Sequence, residues 1–149
     1  KAETHEVDGR ERTLCVHRKG ATRAFPPGHP ALPASVAAHG QPVLVGGSMG
    51  TASYILARAE AGMGPAFASA NHGAGRALSR SAARKRFKGR DVADSLAHAG
   101  VVLRAASRKG VAEEAPHAYK DVDEVIRAAA CAGLAEPVAR LTPLICVKG

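Results

Sequence analysis

Residues 4–16, THEVDGRERTLCV, read as two mostly polar strand segments with apolar Val7 and Leu14-Cys15-Val16, on either side of Asp8-Gly9. That dipeptide accepts the two positive φ angles of a tight I′ turn, so the segment predicts a β-hairpin. Residues 17–33, HRKGATRAFPPGHPALP, carry four prolines and two glycines without periodicity, which predicts a long ordered loop and no regular element. In QPVLVGGSMGTASYILARAE (41–60) a short aliphatic strand runs into a glycine-rich turn and then toward a helix. The stretch NHGAGRALSRSAARK predicts a helix from about Gly75 to Phe87. DVADSLAHAG (91–100) reads as a short helix with Asp91 or Asp94 near its start and Gly100 at its end. VVLRAAS then predicts a strand. In YKDVDEVIRAAACAGL the residues Val122, Val125, Ile126 and Ala129 recur at helical spacing, with Gly133 as the stop. ARLTPLICVKG closes the chain as one apolar strand, expected to be buried. Hairpin and α-β units together give the class α+β or mixed α/β, with no internal repeat.

Length adds a bound: 149 residues fit one domain, 1–149, without an internal boundary. Hydrophobic residues make up 46% of the chain but aromatic ones only 3%, so the interior must be built from Ala, Val, Leu and Ile. Lys and Arg number 21 against 13 Asp and Glu, a formal charge of +8 that favours an anionic partner such as RNA, DNA, a nucleotide or an acidic protein. Cys15, Cys131 and Cys146 are odd in number and lack CxxC spacing, which argues against a disulfide framework or a zinc ribbon and for a reducing compartment. No apolar run approaches the roughly 20 residues of a membrane span. The expectation is a soluble, cytoplasmic chain without a membrane partner. It opens on Lys1 and enters a hairpin at once, which predicts a piece of something longer.

Candidate chemistry gathers in four places. In a helix starting near Gly75, Arg76, Arg80 and Arg84 fall at i, i+4 and i+8 and share one face. The flexible HGAG ahead of them would set His72 beside the free N–H groups at the positive end of that helix. A neutral imidazole there, next to a phosphate site, is a nucleophile. The same pattern also describes a solvated basic face with a histidine in its turn, and the motif alone does not separate the two. Next, GGSMGTASY supplies three glycines with Ser48, Thr51 and Ser53 after a strand, which suits a nucleotide-wrapping loop or a turn that packs closely. It is neither a P-loop nor a dinucleotide fingerprint. In HRKGATRAF, Arg18, Lys19 and Arg23 fit contacts to RNA phosphates, while His17 suits either a ligand or a structural histidine. Finally, Lys148 lies at the end of an apolar strand that could carry it into a pocket. His5, His29, His39, His98 and His117 show no metal spacing, so none is assigned a metal.

Taken together and in order, HRKGATRAFPPG, PVLVGGSMGTASYIL, NHGAGRALSR and PLICVKG resemble the C-terminal part of the RtcB family of GTP-dependent RNA-splicing ligases. The resemblance covers essentially the whole chain. It implies an RtcB-like fold, incomplete without an N-terminal part, and a ligase active in tRNA splicing and RNA repair. In that chemistry the family's histidine, here His72, attacks the α-phosphate of GTP with manganese to give a GMP-histidine intermediate. GMP passes to an RNA 3′-phosphate, and a 5′-hydroxyl displaces it to seal the strand; 2′,3′-cyclic phosphate ends are accepted as well. The GTP contacts carried over are Gly46, Gly47, Ser48, Met49, Ser53, His72, Gly73, Ala74, Gly75 and Lys148. Lys19, Arg76 and Arg80 are candidates for RNA or GTP phosphates, and Tyr119 for the nucleoside.

The family's manganese ligands fall in the part that precedes Lys1, so the resemblance implies no metal ligand here and a fragment that is inactive alone. It implies as partners RNA with 3′-phosphate and 5′-hydroxyl ends, such as tRNA halves, the N-terminal part of the ligase and an archease-type activator. Rival expectations are a non-catalytic nucleotide- or RNA-binding fragment and a subunit that pairs with a separate N-terminal part. Apolar strands left uncovered would make the isolated fragment aggregate.

Overall fold

In the computed structural model, which describes residues 1–57, 64 and 66–149, helices and strands are mixed. The chain forms two compact units: Lys1–Val45, Tyr54–Gly73 and Ile126–Ala139 in the first, and Gly46–Ser53, Ala74–Val125 and Arg140–Gly149 in the second.

The first unit begins with the predicted hairpin, β1 (Ala2–Val7) against β2 (Arg10–Cys15), in the register Val7↔Arg10 to Ala2↔Cys15. Asp8 and Gly9 take φ of 52° and 72°, the positive values that the I′ turn requires. Within the expected loop 17–33 a strand does form: β3 (Ala21–Arg23) pairs antiparallel with Ser69–Asn71. Small residues make that pairing possible, since Ala24, Ala68 and Ala70 are all buried beside it. A one-turn helix, α1 (Ala34–Ala37), follows.

Strand β4 (Val43–Val45) pairs antiparallel with β5 (Ser53–Ala57), matching Val43 to Leu56 and Val45 to Tyr54. The helix expected after the glycine turn is therefore a strand at 53–57. The strand Ser-Tyr-Ile-Leu-Ala, with aromatic Tyr54 and β-branched Ile55 at its centre, folds back on Val43–Val45, and Val43, Val45 and Leu56 are buried. The rest of that expectation, 58–60, lies outside the described residues. Ser69–Asn71 is β6, and β8 (Glu136–Leu141) adds to the sheet in the order β4-β5-β8.

Polar groups pin the hairpin of this unit. Arg18 Nη1 and Nη2 donate to the two carboxylate oxygens of Glu3 at 2.7 Å each, Nε donates to Ser69 Oγ at 2.8 Å, and Nη2 also reaches Phe67 O. His5 Nε2 is 3.1 Å from Glu3 Oε2. Arg18 and Glu3 side chains are only 12% and 10% exposed, so the pair works in a poorly hydrated setting. The guanidinium bonds outweigh burial and hold the Glu3 carboxyl down at about 2.

The second unit contains α2 (Arg80–Arg86), α3 (Gly89–His98), β7 (Val102–Ala105), α4 (Arg108–Glu113) and β9 (Ile145–Lys148). Helix α5 (Val122–Cys131) starts here, with Asp121 Oδ1 accepting from the N–H groups of Asp123 and Glu124 at its N-terminus. Ser79 and Ser107 cap α2 and α4 through their hydroxyls. Met49, Leu96, Val101 and Val111 form the core, with Val92, Leu103 and Cys146 packed against it. Gly89 lets α3 approach α4, because a Cβ there would strike the carbonyl of Arg108.

Two further expectations change in this unit. The helix predicted from Gly75 starts only at Arg80. Gly75 takes φ +75°, Arg76 bridges to Tyr119 as a strand would, and the N–H groups of Ala77 and Leu78 donate to Ala118 O. The single closing strand is divided at Thr142-Pro143 into β8 and β9, the latter parallel to β7 with Leu103 opposite Cys146 and Ala105 opposite Lys148. One face of β9 turns to the core, but Leu144, Ile145 and Val147 are 73%, 67% and 74% exposed, contrary to the burial expected of them.

Candidate functional site

The glycine loop between β4 and β5 is closed by its own hydroxyls. Ser53 Oγ accepts from Gly47 N–H at 3.3 Å, and Thr51 Oγ1 accepts from Ser48 N–H at 2.7 Å while lying 2.9 Å from Ser48 Oγ. A Cβ on Gly47 would collide with Ala52 O and meet Thr51 Oγ1 at 2.7 Å, whereas one on Gly46 meets nothing within 4 Å. Gly47 is required by the turn, and Gly46 leaves an open approach to the backbone. Met49 belongs to the core at 1% exposure, so its side chain is unavailable to a ligand and only its backbone can take part.

The loop after β6 meets this turn: Ala74 N–H donates to Gly46 O at 2.9 Å, and Gly75 O accepts from Lys120 N–H at 3.0 Å. Beyond Gly75, a compact polar cluster forms around the acidic pair at the end of α4. Arg76 donates through Nη1 to Glu114 Oε1 at 3.1 Å and to Tyr119 Oη at 3.0 Å, and through Nε to Leu78 O at 3.0 Å. Its Nη2 donates to Glu113 O, and its guanidinium carbon lies 4.8 Å from the centre of the Tyr119 ring. Tyr119 donates its hydroxyl to Glu114 Oε2, and Lys148 Nζ is 3.5 Å from the same oxygen. Burial would raise the Glu114 carboxyl, but the Tyr119 hydroxyl, Lys148 and Arg76 together bring it below its ordinary value. Burial and the Glu114 carboxylate raise the Tyr119 phenol.

The three arginines expected on one helical face thus share carboxylates. Arg84 Nη1 bonds Glu113 Oε1 at 2.9 Å, and Arg80 Nε lies 3.9 Å from both Glu113 and Glu114. Arg76, placed before the helix, is occupied by protein acceptors; Arg80 is 70% exposed and retains room for an outside phosphate. A cavity of about 430 Å³ lies beside the cluster, bounded by Gly50, Thr51, Ala52, Tyr119 and Lys120. Its size is that of a small-molecule cleft. Open backbone at Gly46, hydroxyls on Ser48 and Ser53, and a lysine held by a single carboxylate fit the polar groups of a nucleotide.

His72 and Gly73 close the first unit. His72 is exposed, and its N–H donates to Gly20 O at 3.5 Å, which sets it next to the exposed Lys19. Helix α2 begins at Arg80, eight residues after His72, and not at Gly75, so His72 does not lie in the turn that opens it. Arg18 is spent on Glu3, so of the basic loop it is Lys19 that remains open to solvent. Arg23 packs 5.2 Å from the Phe25 ring centre.

Two features escaped the sequence. Asn71 holds both side-chain polar atoms buried without a partner, immediately before His72. Glu113 and Glu114 gather four cations, and their only sequence signal is an adjacent acidic pair in a basic chain. Among the described residues no group of three or more His, Cys, Asp and Glu is placed to hold a metal ion. No described helix is long and apolar enough to cross a membrane.

A family model described as "tRNA-splicing ligase RtcB" matches residues 1–149. The RNA-splicing ligase RtcB of Mycobacterium tuberculosis is 58% identical over 149 residues, which is 100% of this chain and 34% of that protein. The tRNA-splicing ligases RtcB of Thermococcus kodakarensis and Pyrococcus furiosus are each 54% identical over the same residues, covering 31% and 15% of their lengths. The chain spans about a third, or less, of the curated relatives it matches. With a match that runs from the first residue to the last, the chain belongs to the RtcB family.

Proposed function

We propose that this chain is the segment of an RtcB-type RNA ligase that carries its nucleophile and much of its GTP pocket, as one part, 1–149, of a larger catalytic domain. The observation that carries the proposal is the hydrogen bond from Ala74 N–H to Gly46 O, which ties the HGAG loop to the glycine turn. Two loops with small residues, open backbone and neighbouring cations suit a nucleoside triphosphate.

In the proposed reaction a ring nitrogen of His72 attacks the α-phosphorus of GTP. The new N–P bond forms as the Pα–O bond to pyrophosphate breaks, and pyrophosphate leaves. GMP then moves from His72 to the RNA 3′-phosphate oxygen, and the 5′-hydroxyl of the second RNA end displaces GMP, losing its proton as the phosphodiester forms. Lys148 and the Ser48 and Ser53 hydroxyls hold the nucleotide, while Lys19 and Arg80 hold phosphates that approach from solvent. Arg76 acts here by holding Glu114 and Tyr119 in place. Manganese, when bound, would supply charge neutralisation at phosphate.

The test is transfer of label from α-labelled GTP, with manganese, to the longest natural polypeptide that carries these residues. An acid-labile, alkali-stable label that disappears in His72→Ala is expected. Absence of label in the wild-type polypeptide, or its persistence in His72→Ala, would overturn the assignment.

A further inference from the structure

A cleft in the second unit is lined by residues given no role in the proposed reaction, two of which, Pro116 and His117, also border the 430 Å³ cavity. We propose that it is a stacking subsite for one base of single-stranded RNA, an inference that rests on the RNA-ligase assignment. It has a volume of about 280 Å³ and is lined by Arg86, Phe87, Lys88, Val92, Pro116 and His117. That is below the usual range for a small-molecule cleft and suits a single flat ring better than a triphosphate.

The walls are those a base requires. Phe87 is half-buried and His117 exposed, with ring centroids 6.3 Å apart and planes tilted by 34°. Two aromatic rings on one cleft give a base a stacking surface that is tolerant of sequence. Asp91 and Ser95, also on the wall, can accept from and donate to the polar edge of the base.

Charge at the rim selects the occupant. From Arg80 to Arg90 the chain places six basic residues and no acidic one. Glu113 holds Arg84, and Asp94 lies 3.8 Å from Arg90. Lys85 and Lys88 have no carboxylate partner among the described residues, and Arg86 lies 5.6 Å from the Phe87 ring centre. An apolar slot flanked by unpaired cations is the arrangement by which proteins hold unpaired nucleic acid, with phosphates on the cations and a base on the rings. Capped α2 and the close approach of α4 to α3 at Gly89 fix both walls before any ligand arrives.

The experiment uses the longest natural polypeptide and a fluorescent 12-nucleotide single-stranded RNA ending in 3′-phosphate. Phe87→Leu is expected to weaken binding by about tenfold with the salt dependence unchanged, since stacking and no phosphate contact is lost. Phe87→Tyr should keep the affinity. Lys88→Gln should lower the slope of log affinity against log salt by about 0.7. Because a substitution at Phe87 could disturb the fold, 5-iodouridine RNA is also crosslinked to the wild-type protein, and adducts are expected on Phe87 or His117.

Wild-type protein that takes GMP label but binds RNA equally well after Phe87→Leu, with adducts elsewhere, overturns the subsite alone and leaves an acidic peptide as the candidate occupant. A wild-type protein that neither takes label nor binds RNA overturns the subsite and the ligase assignment together.

Discussion

Glu3 joins two residue types that seldom share a buried corner, accepting Arg18 through both oxygens and lying 3.1 Å from His5 Nε2. Its folded-state carboxyl is held at about 2 against an ordinary 4.5, so the pair contributes stability that is full above the ordinary value. That contribution is lost as the pH falls through about 2. Urea denaturation as a function of pH should show stability declining between those limits, and Glu3→Gln should remove most of the decline. The same variant should cost about 3 kcal/mol at neutral pH, because it leaves Arg18 buried without its charge partner. An unchanged midpoint at neutral pH would show that the pair is not closed in solution. None of this was legible in the sequence, where Arg18 looked like one cation of an RNA-contacting loop. Its distance from Glu3 and Ser69 along the chain conceals that all three meet. Lys19, one residue on, is exposed.

Among the elements, the glycine turn offers a paired test. Gly47→Ala drives a Cβ into Ala52 O and should cost about 1–3 kcal/mol in urea denaturation. Gly46→Ala meets no atom within 4 Å and should cost well under that; equal losses would mean that the turn is not closed as described. Elements set by local chemistry were legible. Asp8-Gly9 dictated the hairpin, Gly100 and Gly133 end their helices at φ of 78° and 64°, and VVLRAAS became β7. Elements set by distant partners were not. Tyr54 and Ile55 continue as a strand because Val43–Val45 lies opposite, and Arg76 is drawn out of the helix by Tyr119 and Glu114. The candidate site follows the same division. His72, the glycine loop and Lys148 stood out as motifs, whereas Glu113, Glu114 and Asn71 matter only through what the fold places beside them.

At the scale of the whole molecule, a formal charge of +8 coexists with exposed apolar side chains on Leu44, Val138, Leu144, Ile145 and Val147. Exposed apolar strand surface without cover drives association. Light scattering on the isolated 149-residue chain should therefore show concentration-dependent association, reduced in an Ile145→Thr, Val147→Thr variant; a monodisperse wild-type chain would contradict it. The fold class was legible at this scale because hairpin and helix signals alternate along the chain. The exposure of β9 was not, since an apolar run says nothing of how many of its faces are covered. Strand β9 places Cys146 and Lys148 toward the core and Ile145 and Val147 away from it. Lys148 therefore owes its place beside Glu114 to a count of residues after Pro143 as much as to its own identity. Removing one residue from that interval would send the lysine outward and leave Gly149 at the place that faces the carboxylate, while removing two would restore its side. Length changes here obey parity, a constraint that a scan of single substitutions would never reveal.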